Sequence, residues 1–526
     1  MNKDQVKKLI GFRVRIRPIA IRPNEISEGP PMDEDHGAPE GRDRLKLASR
    51  AGRWAIAILF VAAVAIKVGL LFTSQSMADG DEAVEGLMAM HILRGLEHPI
   101  YQWGLRYGAG AGLEAHLAAL LFSITGPSSQ ALKSVGLLFW CIDAALVYLA
   151  GRALMGPKVG LAAALLFVFS PAAAQWSLKV AGGHQIAVAL CLLMILGIER
   201  KIHPAAIMPL APLATFARPV ALPFAALTAG YILLRGRNRL WSSISLFASG
   251  AISTVLLYPS LAKAQETWNP SMKSFQPLIL LRSLAVAVTT FFSPNLNATS
   301  VPGGPILLVS LLWIAAFFAA IAWLLRQSRF GPSGFSSFVS GPGSRLLLYA
   351  ASVFGVVFMV EPSLLAARHL ILLQPIACLA IAAAGLSLSK RGRAALGFLM
   401  IAGCAVQFAE MQDPAIYGAG REEDGVERAQ IQKILDELRA NGIHYVYNAE
   451  PMLQWILMFE SREQIIARAP DPNDRVPAYA RRVDEARRLG QPVALLVRTG
   501  PRSFQLVLRP DPGLLDANFP PAPGAS

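Results

Sequence analysis

Acidic residues are scarce in this chain: 35 Asp and Glu stand against 49 Lys and Arg in 526 residues, and charged residues of both signs make up only 16%. Charge this sparse excludes a solvated, disordered chain over most of its length. Cysteine is scarcer still. The four present, Cys141, Cys191, Cys378 and Cys404, all lie inside apolar runs, which excludes a disulfide framework or a cysteine-based metal site and leaves them as small core residues. Walker spacing, a dinucleotide fingerprint and internal repeats are all absent. The net charge of +14 does not point to nucleic acid, because Lys and Arg gather in the N-terminal tail, in short turns and near the C-terminus.

What the chain does contain is apolar sequence. Hydrophobic residues make up 54% of it, and they collect in runs of about 15–22 rather than alternating. That pattern predicts an all-α polytopic membrane bundle. Basic turns between the runs fit the positive-inside rule, by which Lys and Arg stay on the cytoplasmic side. Residues 1–50 are rich in Pro, Arg and acid, lack apolar periodicity and precede no cleavage site, so they are expected to be a disordered cytoplasmic tail. The membrane domain is expected over 51–411, with a first outer loop at 75–112. Its first span runs from Trp54 to Thr73.

Glu82 to Gly95 is too polar to cross and reads as an amphipathic interfacial helix, while Leu113 to Ile124 is too short and reads as re-entrant or interfacial. Segments starting at Ser134, Leu161, Ile186, His203, Pro219, Leu240, Pro305, Leu346, Leu364 and Ala394 then give about eleven spans in all, thirteen at most, with the C-terminus outside. Residues 412–526 are mixed and predict a small extracytoplasmic α/β domain. Its helices are expected at Val426–Ala440 and Tyr479–Leu489, and its strands near His444–Tyr447, Gln464–Ala467, Val493–Arg498 and Phe504–Leu508.

This topology gathers the polar candidates on one face: Asp79 to Gly112, Ser170 to His184, the turn at Arg218, Lys263 to Gly304, and Glu361 to His369. The densest feature is Asp79-Gly-Asp-Glu-Ala-Val-Glu85, four carboxylates at one bilayer edge. A carboxylate at the mouth of a bundle can act as general base toward an acceptor hydroxyl; Asp79 or Asp81 is equally placed to cap the helix that follows. Arg106, Lys179, Arg218 and Arg368 are outer-side cations suited to hold a phosphate, or to snorkel to the interface. Tyr101, Trp103 and Tyr107 can stack on a sugar ring or form an aromatic belt. His91, His116, His184 and His369 show no metal-pair spacing.

The stretch Asp79-Gly-Asp-Glu-Ala-Val-Glu-Gly-Leu-Met-Ala-Met-His-Ile-Leu-Arg-Gly95, followed by Pro99-Ile-Tyr-Gln-Trp-Gly104 and Leu113-Glu-Ala-His-Leu-Ala-Ala-Leu-Leu-Phe122, resembles the first outer loop of the GT-C superfamily of polytopic glycosyltransferases. Those enzymes use polyprenyl-phosphate sugars and include the protein O-mannosyltransferases and the lipid A aminoarabinose transferases. The likeness covers about Trp54 to Gln407, and Tyr445 to Ala469 with Arg475 to Val483 looks like the trailing domain of a bacterial branch. The resemblance implies a catalytic base at Asp81 with Glu82 beside it, and a lipid-phosphate contact at Arg368, where His369 replaces the usual tyrosine. A Lys-Pro-Pro motif found in the aminoarabinose transferases is missing, and Arg106 or Glu114 falls in its neighbourhood.

The resulting expectation is a hexosyl or pentosyl transferase of a bacterial inner membrane, moving sugar from a polyprenyl-phosphate donor to an extracytoplasmic lipid, glycan or protein. Catalysis falls to Asp81 and Glu82, and substrate binding to Arg368, Arg106, Arg218, Asp79, His184, Tyr107 and Glu114. No cofactor is implied, since arginines can supply the charge compensation of a divalent metal. The alternative is a secondary transporter or lipid-carrier flippase, in which ionisable groups sit near the membrane midplane.

Overall fold

The computed structural model describes residues 58–69, 71–72, 77–180, 182–235, 239–263, 277–293, 304–328, 341–360, 365–388, 390–412, 428–470, 475–500 and 503–520. The expected N-terminal tail and part of the first span lie outside them. Most of the described chain is helical. Ser129–Met155, Arg239–Ser260, Gly304–Gln327 and Lys390–Ala409 are long and apolar enough to cross a membrane, and nine further apolar helices among the described residues run 10–17 residues.

Proline accounts for part of the shortening. The span expected from His203 is divided into Pro204–Ile207 and Leu210–Ala217 around Pro209, because proline removes a helix donor and clashes with the preceding turn. The span expected from Leu364 opens with a 3-10 turn, Ala367–Leu370, before the helix Leu373–Ser387.

Five helices position the polar residues. They are α1 (Gly80–Leu93), α2 (Gly110–Thr125), α3 (Ser129–Met155), α4 (Pro157–Phe169) and α5 (His184–Glu199). Helix α3 lies against α4 and α5, and α1 against α2. Beside α3 lies a cavity lined by Trp140, Asp143, Trp176, Gln185 and Gln374 among others.

Near the C-terminus the chain forms α6 (Arg428–Ala440), β1 (Tyr445–Asn448), α7 (Pro451–Glu460), β2 (Ile466–Arg468), α8 (Pro477–Arg488), β3 (Val493–Gly500) and β4 (Ser503–Val507). The sheet order is β2-β1-β3-β4, with β2, β1 and β3 parallel and β4 antiparallel to β3. Each β-α-β connection leaves the carboxyl ends of the parallel strands on one edge, the edge where open α/β sheets place their ligand sites.

The expectation of an amphipathic interfacial helix is overturned at α1. Gly80 and every residue from Glu82 to Met90 is buried. One side meets the bundle; the other meets α7. A Cβ on Gly80 would lie 2.6 Å from the Cβ of Met452, and one on Gly86 would lie 2.5 Å from the ring of Phe459. Glycine at these two positions is what lets the helices approach so closely. Leu87 and Met88 are fully buried, each worth about 1.5–3 kcal/mol of transfer from water.

Candidate functional site

The four carboxylates at the start of α1 have different surroundings. Asp79 is the N-cap: its Oδ1 accepts from the Glu82 N–H at 2.9 Å, and Glu82 Oε2 accepts in return from the Asp79 N–H at 3.0 Å. This reciprocal box satisfies two orphan donors of the helix start. The other carboxyl oxygen of Asp79 takes the Lys179 ammonium. Glu82 receives Lys133 at 2.8 Å and the Val180 N–H at 3.1 Å. Both pairs are buried, so each cation is needed to offset the charge beside it.

Glu85 and Glu114 form a second, deeper pair. Glu85 Oε1 accepts from the Gly182 N–H at 2.8 Å, and Glu114 Oε2 from the Gly183 N–H at 3.0 Å. Burial and the neighbouring Glu114 lift Glu85 well above the usual carboxylate range. Burial also lifts Glu114, to about 7, against the lowering effects of its hydrogen bond with Glu85, the Gly183 amide, Arg218 and the Gly182 amide. One proton shared between the two lets one carboxyl donate to the other. The buried Glu85 Oε2, which no donor reaches among the described residues, then has a partner.

Asp81 alone of the four keeps an open face. Its side chain is 48% exposed, against 13% for Asp79 and 2% for Glu82. Arg475 Nη2 donates to its Oδ1 at 2.6 Å, and Gln102 Nε2 donates to its backbone carbonyl at 3.1 Å. The partial burial favours the protonated form, yet Arg475, Arg368 and Lys179 together hold the carboxyl well below its ordinary value.

Of the expected residues, Asp79, Asp81, Glu82, Glu114 and Arg218 meet in this one constellation, with Lys179 and Arg368 acting on Asp81. The Arg218 guanidinium donates to the Gly182 carbonyl at 3.2 Å and lies over the Tyr107 ring, 5.4 Å from its centre. His184 is buried at the start of α5, edge-on to Trp176 at 5.6 Å. Arg106 is exposed. His369 turns back on the backbone of Ala366, 3.1 Å from its nitrogen. Among the described residues, no three of His, Cys, Asp and Glu are grouped to hold a metal ion.

Sequence reasoning missed Arg475. It lies 394 residues from Asp81, in the connection between β2 and α8, and no periodicity links the two. Gly104 is the one local signal: its φ of +77° demands glycine, and a Cβ there would lie 2.7 Å from Arg475 Cγ.

No protein-family model matches the sequence, and no curated protein matches it. Solved structures do match. ArnT from Cupriavidus metallidurans superposes with a TM-score of 0.53 at 14% identity, over 86% of this chain and 94% of that one. The same protein bound to undecaprenyl phosphate gives 0.54 at 14%, over 83% and 92%. The Archaeoglobus fulgidus oligosaccharyltransferase gives 0.50 at 14%, over 84% and 69%. At such identities the likeness establishes the fold: this is a mostly helical membrane protein with a GT-C-like architecture and a small sheet near its C-terminus.

Proposed function

We propose, from that architecture, that the protein is a glycosyltransferase that moves a sugar from a polyprenyl-phosphate-linked donor to an acceptor hydroxyl at the outer face of a membrane. One observation carries the reading: of the four carboxylates at the start of α1, three are buried, while Asp81 alone is half exposed and also feels the positive charges of Arg475, Arg368 and Lys179. A structural acid would not need that face.

Asp81 takes the proton of the acceptor hydroxyl as its oxygen bonds to the anomeric carbon. The bond from that carbon to the phosphate oxygen breaks, and its electron pair leaves with the phosphate. The phosphate gains one negative charge, and Arg368 is the residue assigned to offset it. Glu82, tied to Lys133 and the Val180 amide, serves as a positioning residue for the helix start. The resemblance to GT-C transferases and the bound undecaprenyl phosphate of one structural neighbour both support a lipid-linked donor.

The test is lipid and glycan analysis of a host lacking the gene and complemented with Asp81→Asn. General-base loss lowers transfer by about 10²–10⁴-fold, so a polyprenyl-phosphate sugar should accumulate as one envelope glycan disappears. Full transfer by a folded Asn variant would sink the reading. A transporter has one observation in its favour: Asp143, midway along α3, is buried on the wall of the interior cavity. Loss of function with Asp143→Asn and none with Asp81→Asn would favour that alternative.

A further inference from the structure

Arg475 places a charge on the one open carboxylate of the site from a part of the chain outside the bundle. Its position is fixed from two sides. Gly104 packs against its Cβ and Cγ, and the residue stands at the carboxyl edge of the parallel strands, just before α8. Edge and carboxylate meet there.

The guanidinium is only half used. Nη2 holds Asp81, while Nη1 is buried and has no hydrogen-bond partner among the described residues. A buried guanidinium nitrogen without an acceptor keeps its desolvation penalty uncompensated. The planar fork of arginine is suited to bridge two anions, or to grip a phosphate with two parallel bonds. The other groups near Asp81 are already committed or differently placed. Lys179 is tied to Asp79, Glu85 is tied to Gly182, and Arg368 lies at the start of a bundle helix.

A general base must also be free to accept a proton. An arginine on Asp81 opposes that for as long as the pair stays closed. An incoming anion offers the arginine a second partner.

We propose that Arg475 is a shared counter-ion that passes from Asp81 to the phosphate of the lipid-linked donor, so that donor binding frees the base. This rests on the glycosyltransferase reading above. The charges match the chemistry: Asp81 loses its negative charge on taking the acceptor proton, at the step in which the phosphate gains one. Arg475 then stands between a neutral acid and a doubly charged leaving group. The C-terminal sheet therefore supplies a substrate-binding residue.

A double-mutant cycle tests this, with undecaprenyl phosphate titrated into the purified full-length protein in detergent. Four proteins are compared: wild type, Asp81→Asn, Arg475→Gln, and both together. Arg475→Gln should weaken binding about tenfold, as loss of one charge-assisted pair would. Asp81→Asn should tighten it several-fold by removing the competitor for Arg475, and that gain should vanish in the Arg475→Gln background.

A gain of equal size in both backgrounds would mean that Asp81 merely repels the phosphate, and would overturn the proposal. So would undiminished binding by Arg475→Gln. Inorganic phosphate should show no such coupling; coupling equal to that of the lipid would overturn assignment to a lipid-linked phosphate. No binding by any of the four would overturn both this proposal and the function it rests on. Binding by wild type with a flat cycle would overturn this proposal alone. Unchanged melting temperatures across the set tie the differences to the site rather than to folding.

Discussion

Glu85 and Glu114 show how one residue pair can set a pH response. Glu114 is raised from 4.5 to about 7 by burial, so the folded chain binds its proton more tightly than the unfolded chain. The stability this contributes is complete below pH 4.5 and is lost as pH rises through 7. Glu114→Gln imitates the protonated acid. It should keep the melting temperature at pH 5 within the range of a neutral substitution and flatten the fall between pH 5 and 8, as differential scanning fluorimetry in detergent would register.

At this scale much was legible from sequence. Scarce acids and outer-side cations were expected to converge, and Asp79, Asp81, Glu82, Lys179 and Arg218 do lie together, whereas Arg106, expected with them, is exposed. The capping reading of Asp79 also holds, beside its ion pair. Arg475 was not legible, because an arginine in a soluble stretch carries no sign of which distant carboxylate it will meet.

Helix α1 is the element on which the site depends, and its environment was misread. Glu85, His91 and Arg94 between apolar residues look like a wet face, but Glu85 is buried and His91 largely so, and only Arg94 stays exposed while reaching Glu463. His91 lies between Glu97 and Glu463, 2.9 Å from each, and Arg94 also reaches Glu463. Burial disfavours the imidazolium, but the hydrogen bonds of Glu463 and Glu97 override it and raise His91 from 6.5 to about 9. Burial likewise disfavours the Glu463 carboxylate, yet His91 and Tyr479 hold it down from 4.5 to about 2.

The two shifts have opposite signs. The histidine contribution is whole below pH 6.5 and is lost as pH climbs through 9; the glutamate contribution is whole above pH 4.5 and is lost as pH falls through 2. Contact between α1 and the C-terminal elements is thus firmest between about pH 4.5 and 6.5. His91→Gln should abolish the alkaline limb, read as protection of the α7 amides from hydrogen exchange at pH 6 and pH 9.

Packing at the same contact gives a second expectation. Gly86→Ala forces a methyl onto the Phe459 ring and should cost about 1–3 kcal/mol by overpacking. Phe459→Leu in the same chain should recover part of that in a thermal melt. The four strands and two of the helices of this region were legible from alternation and period. Helix α7 was not, since Pro451 to Glu460 is nearly all apolar and shows no polar face to set its period.

Across the whole molecule, hydropathy identified a membrane bundle, and its length rule finds four spans among the described residues where about eleven were expected. The difference lies in helices such as α5, of 16 residues, and in those that proline divides. Run length measures apolar sequence; it does not register where a helix starts or stops inside the bilayer.

The clamp of α1 between the bundle and α7, with Arg475 closing on Asp81, has a consequence for biogenesis. The carboxylates of α1 are synthesised almost four hundred residues before Arg475, the last of their partners. Until then the nascent chain holds Asp81 without its arginine partner. The site is therefore assembled only after both stretches have been made, and the pairing of Arg475 with Asp81 marks the point at which the clamp on α1 is closed.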